Sequence, residues 1–278
     1  MPININSEYI QLSQGTVRYL WLGKDNSIPL ILIHGLSGPM EIWKPSWEPL
    51  IEKGFSLLCY DLYGRGRSQN PSLPHNPKLY IQQLQELIER LDFPRPFLLT
   101  GLSMGGIVAS HFAEQFSSWL QGLVLVAPAG FLPLPWWGKL ILLPIVGETA
   151  MLTFFPLLHY WNSRKGFSKK ENWLEFYSHL KPSFALPSYR KAILSTLRNM
   201  PLGDRGKTFQ NVGKLPFPKL VIWGRKDKIL PFYLSQKVLE SLGEADLACF
   251  EEGSHSIPHE EPEKFAQMLF FFYQKKIQ

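Results

Sequence analysis

The chain has 278 residues, of which 45% are hydrophobic and 19% are charged, and it carries a formal net charge of +6. This balance is typical of a globular protein and excludes a disordered chain. The length suffices for one large domain, or for one domain with an inserted segment.

Strand-like apolar runs alternate with helical patterns along most of the chain. Buried strands that alternate with helices form mostly parallel sheets covered by helices on both faces, so the sequence predicts an α/β fold of that kind. The predicted elements, in chain order, are an antiparallel hairpin at 9–12 and 16–22, strands at 30–34 and 56–61, a helix at 77–91, a strand at 97–99, a helix at 107–116, strands at 122–127 and 219–223, a helix at 231–242, a strand at 246–250 and a helix at 261–275.

The alternation breaks between residues 131 and 207, where prolines and aromatics are frequent and no strand is evident. The segment leaves after one predicted strand and returns before the next. Open α/β sheets bind ligands at the carboxyl ends of their strands. We therefore predict a helical cap at 131–207, inserted above a core formed by 1–130 and 208–278.

The two cysteines, Cys59 and Cys249, both fall in apolar strand-like runs, which favours buried free thiols over a disulfide. No Cys/His spacing is typical of a metal site, and we expect neither a metal nor a cofactor. Residues 1–14 lack a basic stretch followed by an apolar core. The sequence therefore predicts no signal peptide and a cytoplasmic protein.

A Gly-x-Ser-x-Gly motif surrounds Ser103, between the predicted strand at 97–99 and the helix at 107–116. A serine flanked by glycines at a strand-to-helix turn is typical of a nucleophile elbow, in which the turn presents Oγ to the substrate. The motif alone is weak evidence. It gains weight because an aspartate and a histidine follow it in suitable settings.

A serine hydroxyl needs a base to take its proton, and a third group must orient that base. His255 lies in a Gly-Ser-His-Ser turn after the last predicted strand, and Asp227 follows the strand at 219–223. We predict Ser103 as nucleophile, His255 as base and Asp227 as acid. As alternatives, Asp227 caps the next helix, or His255 is a solvated loop residue.

The resemblance to the α/β-hydrolase family, of the lipase/esterase type with a helical cap, rests on motifs spread over the chain. They are H-G-x-x-G at 34–38, D-x-x-G-x-G-x-S at 61–68, the elbow at 101–105, and the acid and histidine segments at 223–227 and 253–255. Residues 189–199 are similar to a cap helix of monoacylglycerol-lipase-like members. The resemblance implies the α/β-hydrolase fold and a serine-dependent hydrolysis.

His259 is the alternative base, four residues after His255. In the family the catalytic histidine precedes a Glu and a Pro by several residues, a spacing that His255 has to Glu260 and Pro262. We therefore expect His259 to be a surface residue near the start of the last helix. His34 is expected to order its loop through hydrogen bonds.

Acyl transfer places negative charge on the carbonyl oxygen, which backbone N–H groups stabilise. The N–H of Met104, directly after the nucleophile, is one expected donor. The N–H of Leu36, in the loop that begins at His34, is the other.

The predicted cap carries most of the positive charge. It holds eleven Lys or Arg against four Asp or Glu, a formal charge of +7, so the rest of the chain is at about −1. Basic residues interleaved with aromatics such as Trp136 and Phe154 suit an anionic membrane surface. A solvated basic face above an aromatic pocket is the alternative. No nucleic-acid recognition motif is present, and the prolines and charges within 131–158 argue against a transmembrane helix.

Together these features predict a serine hydrolase that cleaves esters with apolar acyl chains through an acyl-enzyme. A carbon–carbon bond hydrolase of ring-fission products is an alternative, with Arg190 or Arg198 of the cap holding a substrate carboxylate; such enzymes commonly have Asn where this chain has Leu102. A receptor that binds its ligand without turnover is another. The acyl length and the oligomeric state are not predicted.

Overall fold

The structure is a computed structural model that describes residues 6–131, 140–153, 155–200, 202–203 and 205–278. Eight strands form one sheet in the order β1-β2-β4-β3-β5-β6-β7-β8. The strands are β1 (Glu8–Leu12), β2 (Gly15–Leu22), β3 (Ile28–Ile33), β4 (Phe55–Tyr60), β5 (Phe97–Leu102), β6 (Leu120–Val126), β7 (Lys219–Gly224) and β8 (Asp246–Phe250).

The sheet is antiparallel only at its first edge. β1 pairs with β2 and β2 with β4 in antiparallel register, whereas every neighbouring pair from β4 to β8 is parallel. The predicted hairpin and the mostly parallel sheet are both confirmed. Because parallel strands run in one direction, the loops that follow β3 to β8 all leave the sheet at the same edge.

The described α-helices are numbered in chain order. They are α1 (Lys44–Glu52), α2 (Pro77–Leu91), α3 (Met104–Gln115), α4 (Val146–Thr153), α5 (Phe155–Lys165), α6 (Lys170–Phe184), α7 (Pro187–Asn199), α8 (Gly206–Gly213), α9 (Leu234–Leu242), α10 (Ile257–Glu260) and α11 (Pro262–Lys276). The predicted helices at 77–91 and 261–275 are confirmed almost to the residue.

Alternate residues of the strands face opposite sides of the sheet, as strand geometry requires. Ile31 and Leu99 lie on the side covered by α2, α3, α8 and α9. Leu30 and Leu98 lie on the side covered by α1 and α11. Nearly every residue of β3 to β6 is therefore buried, which explains why these strands are mostly apolar rather than alternating.

Between β6 and β7 the described elements are the helices α4 to α8. Side chains of α6 and α7, including Trp173, Phe176 and Ile193, are buried in one cluster with residues of the sheet. The helix α8 begins at Gly206 and packs against α3 and α9, so it spans the predicted boundary at 207/208. The division into core and cap stays a prediction, and Trp136 and Phe154 lie outside the described residues.

Cys59 is buried and Cys249 is partly exposed, and neither forms a disulfide. The expectation that both thiols are buried is therefore wrong for Cys249, which lies in the last strand of the sheet, where one neighbouring strand is missing. Within the described part of the chain, no helix has both the length and the apolar character needed to span a bilayer. The same residues contain no cluster of three or more His, Cys, Asp or Glu that could hold a metal.

Candidate active site

Ser103 stands between the end of β5 and the start of α3, at the edge where the parallel strands end. Its backbone has φ 55° and ψ −119°, a conformation that residues other than glycine rarely adopt. Its N–H donates to the carbonyl of Val126 at 2.9 Å, and its carbonyl accepts from the N–H of Ala129 at 3.0 Å. The neighbouring strand end thus holds the strained turn in place.

Close backbone approach explains the glycines of the elbow. A Cβ on Gly101 would lie 2.3 Å from the carbonyl oxygen of Gly105, and a Cβ on Gly105 would lie 2.4 Å from that of Ile33. Backbone atoms cannot move aside as a flexible side chain can. The motif is therefore a steric requirement for packing α3 against β3 and β5.

Replacing Gly105 by alanine is expected to destabilise the protein by about 3 kcal/mol or more, because the added methyl group overlaps two backbone carbonyls. The matched control is Gly203→Ala, since no atom of the described residues lies within 4 Å of a Cβ built there. Urea denaturation of both variants measures the difference. A Gly105→Ala protein as stable as Gly203→Ala would contradict this description of the turn.

Asp227 and His255 are directly hydrogen-bonded. Nδ1 of His255 donates to Oδ2 of Asp227 at 2.7 Å, and the Asp227 carboxylate is buried. Oδ1 of the same carboxylate accepts from the N–H groups of Ile229 and Leu230 at 2.7 and 2.8 Å. Asp227 therefore holds both the backbone turn after β7 and the imidazole. In this arrangement Nδ1 of His255 carries the proton, and Nε2 can act as a base.

Ser103 and His255 line one cavity of about 530 Å³, together with Leu36 and Met104. The His255 side chain is only 12% exposed, which excludes a freely solvated loop residue. Most of the remaining lining is apolar. It includes Ile42, Ala129, Ile141, Met151, Phe167, Phe176, Ile193, Leu197, Leu202 and Ile229. Among the described residues, the charged side chains that line the cavity are Lys165 and Lys228.

Both ring nitrogens of His34, which directly follows β3, are hydrogen-bonded to backbone groups. Nδ1 donates to the carbonyl of Gly35 at 2.8 Å, and Nε2 accepts from the N–H of Leu62 at 2.9 Å. Burial lowers the pKa of His34 to about 4, so the ring is neutral at neutral pH, as one donor and one acceptor require. The bond to Gly35 fixes the peptide group whose N–H belongs to Leu36.

His259 is buried, and the expectation of a surface residue is wrong. Its ring packs edge-on against Phe167 and Phe176, at centroid distances of 5.4 and 5.9 Å. Burial lowers the pKa of His259, and Glu175 on α6 lies 3.7 Å from Nε2. Helix α6 covers this histidine, which the local sequence could not reveal.

The arginines considered for a substrate carboxylate have other partners. Arg198 forms an ion pair with Glu148 at 2.6 Å and donates to two carbonyls before α4. Nε of Arg190 donates to the carbonyl of Phe184 at 3.1 Å. Neither arginine lines the cavity described above.

Two contacts that sequence reasoning missed join this site to the helices between β6 and β7. Glu260 accepts hydrogen bonds from the backbone N–H groups of Ser168 and Lys169, both at 2.9 Å, and from the hydroxyl of Ser254 beside His255. Tyr189 on α7 donates its hydroxyl to the carbonyl of Ser37 at 3.0 Å. Only the spacing of Glu260 from His255 gave any signal in the sequence.

A serine at a strand-to-helix turn of a mostly parallel sheet, facing a histidine loop at the same edge, is the arrangement of an α/β-type hydrolase. The model of the alpha/beta hydrolase family matches residues 30–268, and the chain belongs to that family.

Individual relatives are more distant. The chain is 26% identical over 285 residues to a monoacylglycerol lipase (ABHD6) of Bos taurus, covering 97% of this chain and 82% of the relative. It is 24% identical to 2-hydroxy-6-oxo-6-(2'-aminophenyl)hexa-2,4-dienoic acid hydrolase of Metapseudomonas resinovorans, covering 93% of this chain and 88% of that enzyme. The structure of a thermophilic esterase from Thermogutta terrifontis superposes with a TM-score of 0.82 at 20% identity, covering 98% of this chain and all of that one.

Proposed function

We propose that this protein is a serine hydrolase that cleaves carboxylic esters with apolar acyl chains. The observation that carries the proposal is the Asp227–His255 hydrogen bond of 2.7 Å on the same apolar cavity as Ser103. The similarity to a monoacylglycerol lipase supports an ester as substrate.

In the proposed reaction, Nε2 of His255 takes the proton of Ser103 while Oγ attacks the ester carbonyl carbon. Asp227 stabilises the imidazolium that forms. The N–H groups of Leu36 and Met104 stabilise the oxyanion, a contribution of about 3 kcal/mol each. His255 then gives its proton to the leaving alcohol, and a water molecule hydrolyses the acyl-enzyme by the same steps.

The lining of the cavity favours an apolar acyl chain over a charged substrate. Cavities of 300–1,000 Å³ are typical of small-molecule sites, and this one has about 530 Å³. Carbon–carbon bond cleavage is the second candidate, supported by the relative from Metapseudomonas resinovorans. For that reaction Lys165 or Lys228 would have to hold the substrate carboxylate, since Arg190 and Arg198 do not line the cavity.

A chain-length series of p-nitrophenyl esters and monoacylglycerols tests the substrate class. Each buried methylene contributes about 0.8 kcal/mol, so kcat/KM is expected to rise about fourfold per methylene until the cavity is filled. The Ser103→Ala variant gives the uncatalysed background. A maximum at acetyl esters, or turnover restricted to a vinylogous 1,5-diketone acid, would contradict the proposal.

We further propose that the segment 131–207 contacts anionic membranes. Exposed lysines lie at 169, directly before α6, and at 170, its first residue. Exposed apolar side chains such as Leu143, Ile145 and Trp161 belong to the same segment. Not every aromatic residue of the segment is available, because Trp173 and Phe176 are buried. Nucleic acid is not a proposed partner.

Co-sedimentation with vesicles containing anionic lipid is expected to show binding that weakens at high salt. The reason is screening, since the Debye length falls from about 10 Å at 0.1 M to about 3 Å at 1 M ionic strength. Lys169→Glu/Lys170→Glu should weaken binding. The charge-matched control Lys214→Glu/Lys237→Glu changes two exposed lysines outside the segment 131–207 and should not weaken binding. Equal loss in both double variants would contradict a contact through this segment.

A further inference from the structure

Arg65, in the turn that follows β4, carries a fully buried positive charge. Its relative exposure is 0%, and among the described residues no carboxylate oxygen lies within the 4 Å of an ion pair. Burial of an unpaired charge is costly, and an apolar side chain of similar size at such a site is often as stable or more so. General stability therefore does not account for this arginine.

The guanidinium of Arg65 donates to oxygens of two different structural units. Nε donates to the carbonyl of Leu36, and Nη2 donates to Oγ1 of Thr196 on α7 at 2.7 Å. Nη1 donates to the carbonyl of Gly64 at 3.4 Å. The planar fork of an arginine suits such a task, because several donors are held in fixed relative positions.

The two glycines that flank Arg65 hold it in this place. Gly64 and Gly66 have φ of +72° and +52°, in the region that favours glycine. A Cβ on Gly64 would lie 2.4 Å from Cβ of Ala192 on α7, and a Cβ on Gly66 would overlap the carboxylate of Asp61. The turn thus packs directly against α7 on one side and against the buried Asp61 on the other.

Leu36 has its two adjacent peptide groups fixed by different side chains. The peptide that contains its N–H is held at the Gly35 carbonyl by His34, and the peptide that follows is held at the Leu36 carbonyl by Arg65. The direction of a backbone N–H depends on both neighbouring dihedral angles. Loss of either bond removes one of the two restraints on the N–H that would stabilise an oxyanion.

Helix α7 is connected to the loop at 34–38 at two consecutive loop residues, Leu36 and Ser37. Tyr189 donates its hydroxyl to the carbonyl of Ser37, and Thr196 accepts from Arg65, which holds the carbonyl of Leu36. Hydrogen bonds therefore couple the position of α7 to the position of the loop at 34–38, which contains the Leu36 N–H.

We propose that Arg65 is a positioning residue that orients the Leu36 N–H toward the oxyanion, and that this orientation depends on the packing of α7 against the core. The inference rests on the proposed ester hydrolysis. It assigns Arg65 no contact with substrate, because Arg65 does not line the cavity.

The test compares turnover with binding of a trifluoromethyl ketone, which adds to the serine and places an oxyanion at the same position. Loss of one oxyanion donor costs about 10²- to 10³-fold in kcat, and misdirection of that donor should cost less. For Arg65→Met we expect about 30-fold lower kcat, KM within threefold, and about 30-fold weaker inhibition by the ketone. Arg65→Lys, which retains a donor for Leu36, should recover part of both losses.

Arg67→Met is the matched control, because Arg67 is exposed and should leave all three quantities unchanged. Thr196→Val keeps Arg65 but removes its partner on α7, and we expect about fivefold losses in kcat and ketone affinity. If Arg65→Met does not fold, Thr196→Val and Arg65→Lys together test the inference. A lower melting temperature with unchanged ketone affinity in these variants would show a merely structural role and overturn the inference.

If the proposed ester hydrolysis is wrong, the result differs from a failure of the inference about Arg65. In that case the wild-type protein itself would neither hydrolyse esters nor react with the ketone. Normal wild-type turnover with unchanged kcat and ketone affinity in every Arg65 and Thr196 variant would overturn only the inference about Arg65.

Discussion

Replacing Ser103 by alanine is expected to lower kcat for ester hydrolysis by at least about 10⁴-fold, because the acyl-enzyme route loses its nucleophile. The melting temperature should change little, since the strained turn is held by the backbone bonds to Val126 and Ala129 rather than by the hydroxyl. Steady-state hydrolysis of a p-nitrophenyl ester and a thermal scan of the same preparation measure both.

Ser37→Ala serves as the control, because Ser37 is a second serine on the same cavity. We expect this variant to retain hydrolysis within about tenfold, since its loss removes no nucleophile. Retained activity in Ser103→Ala together with loss in Ser37→Ala would move the nucleophile and refute the role of the elbow.

The second large effect is expected at His255. His255→Ala should lower kcat by about 10⁴-fold, because Ser103 then has no base and the Asp227 carboxylate has no imidazole to orient. His259→Ala should change kcat only a few-fold and instead lower stability, by about 1–3 kcal/mol, because it leaves a cavity between Phe167 and Phe176. Enzyme kinetics and urea denaturation of both variants separate the two roles.

The opposite pattern, with catalysis lost in His259→Ala and stability lost in His255→Ala, would place the base at His259. Loss of activity in His259→Ala through unfolding alone is recognised because the remaining folded fraction would turn over at the normal rate. Active-site titration with a fluorophosphonate gives that fraction.

The central part of the fold could be predicted because its signals are local. The strands β3 to β6 are mostly apolar runs. The elbow glycines are required by contacts within the motif and with the end of β3. Chain order and strand ends were enough to pair Asp227 with His255, because both follow parallel strands that end at one edge.

The contacts with α6 and α7 could not be predicted, since they join segments far apart in sequence. His259 lies in a polar stretch, and its burial depends on Phe167 and Phe176, more than 80 residues earlier. Trp173, an aromatic residue of the basic segment 131–207, is buried in one cluster with residues of the sheet. Arg65 likewise bonds to residues distant from it along the chain, Leu36 and Thr196.

The most direct test of the serine hydrolase proposal is labelling with a fluorophosphonate, followed by intact-mass measurement and peptide mapping. A fluorophosphonate forms a stable bond with an activated serine and needs the same base and oxyanion donors as an ester. We predict one adduct per chain, located on Ser103, with loss of ester hydrolysis in proportion to labelling. Continued ester hydrolysis in fully labelled protein, or an adduct on another residue with Ser103 unmodified, would contradict the account.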